Sequence, residues 1–141
     1  MIDDLLNDAR SNLRRLAPTE VRSRIEEGAL LVDTRTDSQR SEQGELPDAI
    51  VIDRTVLEWR LDPSSESRIP EIASYDQMIV VVCSQGYSSS LAAQSLQRLG
   101  FANATDVVGG VENWIRQGLP ISNRPAGVHR LGDSTNGEDG I

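Results

Sequence analysis

The segment Met78-Ile79-Val80-Val81-Val82-Cys83 constrains this chain more than any other. It is an unbroken apolar run, rich in β-branched residues, without the polar–apolar alternation of a half-exposed strand. Such a run reads as a strand buried on both faces, and a strand covered twice belongs to a parallel sheet with helices on either side. Ala29-Leu30-Leu31-Val32-Asp33 and Ala49-Ile50-Val51-Ile52 are runs of the same kind. Between them the period becomes helical. Leu91, Ala92, Ser95, Leu96 and Leu99 share one face from Ser88 to Leu99, and Gly100 stands where a helix-ending glycine belongs. Pro18 and Gly28 bound a helix through Val21 and Ile25. Arg54 to Leu61 reads as a short helix or turn, the polar stretch from Pro63 to Pro70 as loop, Ala104 to Val108 as a strand and Val111 to Gln117 as a last short helix. Strands alternating with helices predict an α/β fold.

At the N-terminus Ile2, Leu5, Leu6, Ala9, Leu13 and Leu16 recur at intervals of three and four. This predicts an amphipathic helix over residues 1–17, with Asp3 and Asp4 at its start and Arg14 and Arg15 at its end, where the helix dipole favours them. Residues 18–121 form the expected domain. From Ser122 to Ile141 the composition turns to Gly, Asn, Asp, Ser and Pro, which predicts a flexible tail holding His129, the single histidine.

The charges narrow the partners. All 14 basic residues are arginine, they face 22 acidic residues, and the net charge is −8. An acidic chain without a basic stripe repels a polyphosphate, so nucleic acid is an unsuitable partner. No apolar run approaches the roughly 20 residues that a membrane-spanning helix requires, and Met1-Ile2-Asp3-Asp4 lacks the basic start of an export signal. The reading is a soluble, cytoplasmic protein with no membrane partner. Cys83, the single cysteine, has neither an internal disulfide partner nor a second thiolate with which to build a zinc site.

Chemistry concentrates where the clearest strand ends. Cys83 is followed by Ser84-Gln85-Gly86-Tyr87 and then by Ser88-Ser89-Ser90, where a helix begins. In an α/β sheet ligands sit beyond the carboxyl ends of the strands. A strand–loop–helix of this form wraps backbone N–H groups around the sulfur and aims a helix N-terminus at it, which favours the thiolate over the thiol. Gly86 permits tight curvature, and the serines are expected to add hydroxyl donors and an N-cap.

At these residues the chain resembles the rhodanese family, whose members carry a persulfide on a loop cysteine. The resemblance spans about residues 19–121. Leu31-Val32-Asp33-Thr34-Arg35 is similar to the family's apolar-Asp-x-Arg strand end, and Gly44-Glu45-Leu46-Pro47-Asp48-Ala49 to its Gly-His-Ile-Pro-Gly-Ala turn. Gly109-Gly110-Val111-Glu112-Asn113-Trp114, before Gly118-Leu119-Pro120, is similar to its Gly-Gly-x-x-x-Trp ending. The implied fold is a rhodanese-like three-layer α/β/α domain with a mostly parallel central sheet, here preceded by the N-terminal helix. The implied function is sulfur transfer. Cys83 is the implied nucleophile, and Ser84, Gln85, Gly86, Tyr87, Ser88 and Ser89 form the anion-binding loop. The sulfur comes from thiosulfate or a low-molecular-weight persulfide and goes to a thiol, cyanide or a protein acceptor, with no metal and no organic cofactor.

Departures from the family pattern matter. Glu45 and Asp48 stand where the turn commonly has His and Gly, and residues 84–88 contain no Arg or Lys, where many members place a cation for an anionic donor. Arg54 and Arg60 are the candidates to supply that cation from elsewhere, since their segment follows a strand end. Asp33 and Arg35 read as a structural ion pair supporting the site, and Trp59 and Trp114 as core anchors. A rhodanese-like binding or regulatory module with little turnover is the alternative function. A cysteine phosphatase, which needs Cys-x5-Arg, is disfavoured because the sixth residue after Cys83 is Ser89.

Overall fold

The computed structural model describes residues 1–123 and the short segment Val128–His129. Five strands, β1 (Leu30–Asp33), β2 (Ala49–Ile52), β3 (Ile79–Val82), β4 (Ala104–Asp106) and β5 (Val128–His129), form one sheet in the order β4-β3-β1-β2-β5. Every pairing among them is parallel. Helices α1 (Ile2–Arg10), α2 (Val21–Glu26), α3 (Asp37–Gln43), α4 (Leu57–Leu61), α5 (Ser88–Leu99) and α6 (Gly110–Arg116) cover it.

The sheet has two apolar faces, and alternate residues of the same strand serve each. Val32, Ile79 and Val81 point to one core with Leu57 and Leu61 of α4, Ala92 and Leu96 of α5, and Phe101. Leu31, Val80 and Val82 point to the other with Val21 of α2, Leu46, and Val111 and Trp114 of α6. All four residues of β3 are consequently buried, as the unalternating sequence demands. The strand order also fixes where chemistry can occur. The chain leaves β1 toward β2 on one side, while β3 pairs on the other and leads on to β4. The crevice beyond the carboxyl ends of β1 and β3 is therefore the topological switch point of the sheet. Asp33 pairs in register with Val82 there, and Cys83 comes next.

Four expectations change. The N-terminal helix ends at Arg10 instead of running to residue 17. Leu16 instead bridges Val107 in parallel, its N–H donating to Asp106 O at 2.9 Å and its carbonyl accepting from Val108 N at 2.8 Å. Covering the open edge of β4 in this way satisfies backbone groups that a longer helix would leave unpaired. Helix α3 was not expected. Its signal is the capping box of Thr36 and Gln39, in which the Thr36 hydroxyl accepts from Gln39 N and Gln39 Oε1 accepts from Thr36 N. Trp59 is 57% exposed, because Leu57, Arg60 and Leu61 occupy the inward positions of the one-turn α4. Within the segment read as a tail, Ser122 exchanges two backbone hydrogen bonds with Glu45, and Val128–His129 extends the sheet beside β2. The rest of the tail lies outside the described residues. Trp114 is the core anchor expected, its indole N–H donating to Pro120 O.

The two family departures near α3 are accommodated in different ways. Glu45 forms an ion pair at 3.2 Å with the buried Arg40. Asp48 adopts φ +68°, a left-handed conformation that suits glycine and that aspartate tolerates better than most side chains.

Candidate active site

Cys83 sits at the end of β3 with 6% of its surface exposed. Its Sγ accepts the backbone N–H of Gly86 at 3.2 Å and that of Ser89, in the first turn of α5, at 3.4 Å. The loop thus presents donors to the sulfur, as the strand–loop–helix reading requires. Several of the loop's carbonyls are bonded elsewhere. α6 takes two of these, since Val111 N donates to Cys83 O at 2.9 Å and Glu112 N to Ser84 O at 3.0 Å. Such close approach of two backbones depends on Gly109-Gly110. A Cβ on Gly110, at φ +59°, would press on Cys83 O and lie 2.7 Å from Ser84 O and 2.8 Å from Gly86 N.

A third carbonyl, that of Gly86, is held from the N-terminal segment. Arg10 Nη2 donates to it at 2.7 Å and Arg15 Nη2 at 3.0 Å. Arg15 also grips Asp106, Nε to Oδ1 at 2.7 Å and Nη2 to Oδ2 at 3.2 Å, and that carboxylate is fully buried. Asp106 Oδ2 accepts the hydroxyls of Ser89 and Ser90, each at 2.7 Å. The Ser89 hydroxyl therefore serves the buried carboxylate, and only its backbone N–H reaches the sulfur. No serine caps α5 either, because the N-cap position falls on Tyr87. Tyr87 is 59% exposed, with the Arg10 guanidinium 5.7 Å from its ring centre.

From the other side, Asp33 and Arg35 form a buried, two-pronged ion pair, Nη2 to Oδ2 at 2.8 Å and Nε to Oδ1 at 3.1 Å. Arg35 also donates to Gly44 O at 2.9 Å and to Gln43 Oε1 at 3.3 Å. Gln43 in turn donates to Ser84 Oγ at 2.9 Å. Asp33 and Arg35 accordingly reach the loop through Gln43, a residue the sequence reading missed because α3 was missed. Gln85, in the exposed part of the loop, donates to Glu112 at 3.1 Å, and Ser88 is exposed at the start of α5.

Arg54 and Arg60 have other partners. Arg54 pairs with Glu58 at 3.0 Å, and Arg60, almost wholly buried, donates to Ser67 O at 2.7 Å. Both lock the segment around α4. Arg54, in the turn before α4, and Arg60, on α4, are taken up locally, and among the described residues the cations that touch the Cys83 loop are Arg10 and Arg15 instead. A cleft of about 410 Å³ is lined instead by Asn12, Arg14, Met78, Gln97 and Thr105 at the opposite end of the strands.

Fold and site together define a parallel α/β domain that holds one thiol in a cup of backbone amides. The chain matches the family model of the rhodanese-like domain over residues 17–117, and it belongs to that family. It is 35% identical over 104 residues to the thiosulfate sulfurtransferase GlpE of Pseudomonas syringae pv. syringae, covering 74% of this chain and 89% of the relative. It is also 35% identical over 114 residues to a sulfurtransferase of Allochromatium vinosum, covering 81% and 91%. A solved structure from Rhodopseudomonas palustris, described as a protein of unknown function and possible tyrosine phosphatase, superposes with a TM-score of 0.77. The two are 27% identical over 86% of this chain and 94% of that one. Among the described residues no helix is long and apolar enough to cross a membrane.

Proposed function

We propose that this protein is a sulfurtransferase that carries sulfane sulfur on Cys83. The observation that carries the reading is the pair of backbone N–H groups, from Gly86 and Ser89, directed at Cys83 Sγ. Preorganised donors of this kind stabilise a thiolate, the form that attacks, and then the terminal sulfur of a persulfide, which bears the same charge. The Cys83 thiolate attacks the outer sulfur of thiosulfate, a new S–S bond forms, the old one breaks and sulfite leaves with the electron pair. An acceptor thiolate or cyanide then attacks the outer sulfur of Cys83–S–S⁻ and regenerates the thiolate. With a low-molecular-weight persulfide as donor, the departing group is its thiolate.

Ser84, Gln85, Tyr87 and Ser88 line the loop beside these donors and form the remainder of the anion site. Neither step uses a metal or an organic cofactor. A chain with one cysteine passes its sulfur to another molecule, whether a small thiol or a protein acceptor, and the same lone thiol fits a cytoplasmic setting. Phosphatase chemistry fits less well, because Ser89 occupies the position where a guanidinium would grip phosphoryl oxygens, and its hydroxyl is engaged by Asp106.

Intact-protein mass spectrometry tests the reading after incubation with thiosulfate and, separately, with glutathione persulfide. Wild type is expected to gain one sulfur atom that a thiol reductant removes, and Cys83→Ser to gain none while remaining folded. Failure of wild type to gain sulfur from either donor would favour a binding module with little turnover.

A further inference from the structure

The family match begins at residue 17, yet two side chains ahead of it touch the Cys83 loop. α1 packs on α5 through Leu6 and Ala9, which are buried, and Arg10 closes the helix facing Ser90. The chain then turns, so that Arg15 arrives just before Leu16 pairs with the edge of β4. Both guanidinium groups converge on one acceptor, Gly86 O, at 2.7 and 3.0 Å. That carbonyl belongs to the residue whose N–H donates to Cys83 Sγ. Residues 84–88 contain no Arg or Lys of their own.

The charges around this point are unequal in role. Asp106 of β4 is fully buried and absorbs one positive charge, that of Arg15, along with two serine hydroxyls. Glu112 of α6 faces the outer end of the loop through Gln85. Among the described residues Arg10 donates only to neutral acceptors, Gly86 O and Ser90 Oγ, and stacks beside the ring of Tyr87. Its charge is therefore left over to act on the loop. In a protein of net charge −8, it offsets the repulsion that an anionic sulfur or donor meets at this surface.

We infer that Arg10 and Arg15, outside the rhodanese-like domain proper, are positioning residues for the Cys83 loop. By bonding the Gly86 carbonyl they hold in place the residue whose own N–H donates to the sulfur, and Arg10 adds the net positive charge that the loop sequence lacks. The inference deepens the sulfurtransferase reading and rests on it, but it can be judged separately.

The test compares wild type with Arg10→Met, Arg10→Gln and Arg10→Lys, since Arg15 cannot be removed without exposing Asp106 to an unpaired buried charge. Circular dichroism establishes that each is folded. The rate of Cys83 alkylation by uncharged iodoacetamide is followed against pH. A weaker hold on the thiolate makes alkylation of Arg10→Met roughly threefold to tenfold slower on the acid side of the profile. Arg10→Gln, which keeps a donor without the charge, shifts in the same direction, and Arg10→Lys returns toward wild type. A merely structural Arg10 would lower thermal stability and leave the profile in place. Superimposable profiles for wild type, Arg10→Met and Arg10→Gln would overturn the inference. Sulfur uptake from thiosulfate is measured on the same samples. A wild type that takes up no sulfur sinks the sulfurtransferase reading alone, because alkylation needs no sulfur donor.

Discussion

Replacing Gly110 by alanine asks how much of the site depends on two backbones lying against each other. The residue has φ +59°, and the left-handed conformation costs a non-glycine residue about 1–2 kcal/mol. The added methyl would also meet backbone, pressing on Cys83 O and standing 2.7 Å from Ser84 O and 2.8 Å from Gly86 N. A rotamer change cannot relieve such contacts, so the overpacking adds about 1–3 kcal/mol. Gly118 is the internal control. Its φ is +74° and nothing lies within 4 Å of the place its Cβ would take, which leaves the conformational cost alone. At roughly 3–4 °C per kcal/mol for a domain of this length, Gly110→Ala is expected to melt about 3–12 °C below Gly118→Ala. The displaced atoms are those that aim the loop at Cys83. Sulfur uptake is accordingly expected to fall by up to about 100-fold in Gly110→Ala, the order of loss that follows from misplacing a reacting group by an ångström. It is expected to stay near wild type in Gly118→Ala. Thermal unfolding and timed mass spectrometry on both variants decide the matter. Equal melting temperatures, or wild-type uptake by Gly110→Ala, would refute the close-approach argument.

Two further predictions concern charge. Arg35→Met leaves Asp33 buried without its cation and is expected to cost about 3–5 kcal/mol in denaturant unfolding, most of it recovered in Asp33→Leu/Arg35→Met; a single variant as stable as the double would show that the pair is dispensable. The hydrogen bond from Tyr75 holds the Asp62 carboxyl below its ordinary value of 3.8, helped by Ser64. Ionised Asp62 is thus favoured in the folded state, and its contribution is present above pH 3.8 and lost as pH falls through the lowered folded value. Tyr75→Phe is expected to be less stable than wild type at neutral pH and to converge on it below that window, and a gap that persists in acid would contradict the assignment.

The legible parts of this molecule are the local ones. Met78–Val82 announces a doubly covered strand because every residue must be apolar when both faces are buried. The Cys83 loop could be read with it, since strand, glycine and helix start are contiguous and the loop's own amides reach the sulfur. Asp33 and Arg35, two residues apart, could likewise be read as a pair. Helix α3 is hard to read because its residues, Asp-Ser-Gln-Arg-Ser-Glu-Gln, show no apolar period and only a capping box announces it. Without α3 there was no reason to place Gln43 against Ser84. The partner of the serine hydroxyls is hidden for a related reason, since nothing near Ser89 in sequence says that Asp106 lies behind it.

The identity of the loop's cations shows where sequence reasoning ends. Arg54 and Arg60 were reasonable candidates by position after a strand, yet α4 spends them on Glu58 and Ser67. Arg10 and Arg15 stand 76 and 71 residues from Gly86, and no periodicity connects them. Sequence alone determined four of the strands, the two buried faces they serve and the thiol at a strand end, because burial and backbone donors act through neighbouring residues. Only the tertiary structure decided which charges meet that thiol, because a long arginine is placed by the packing of the element that carries it, here α1 on α5.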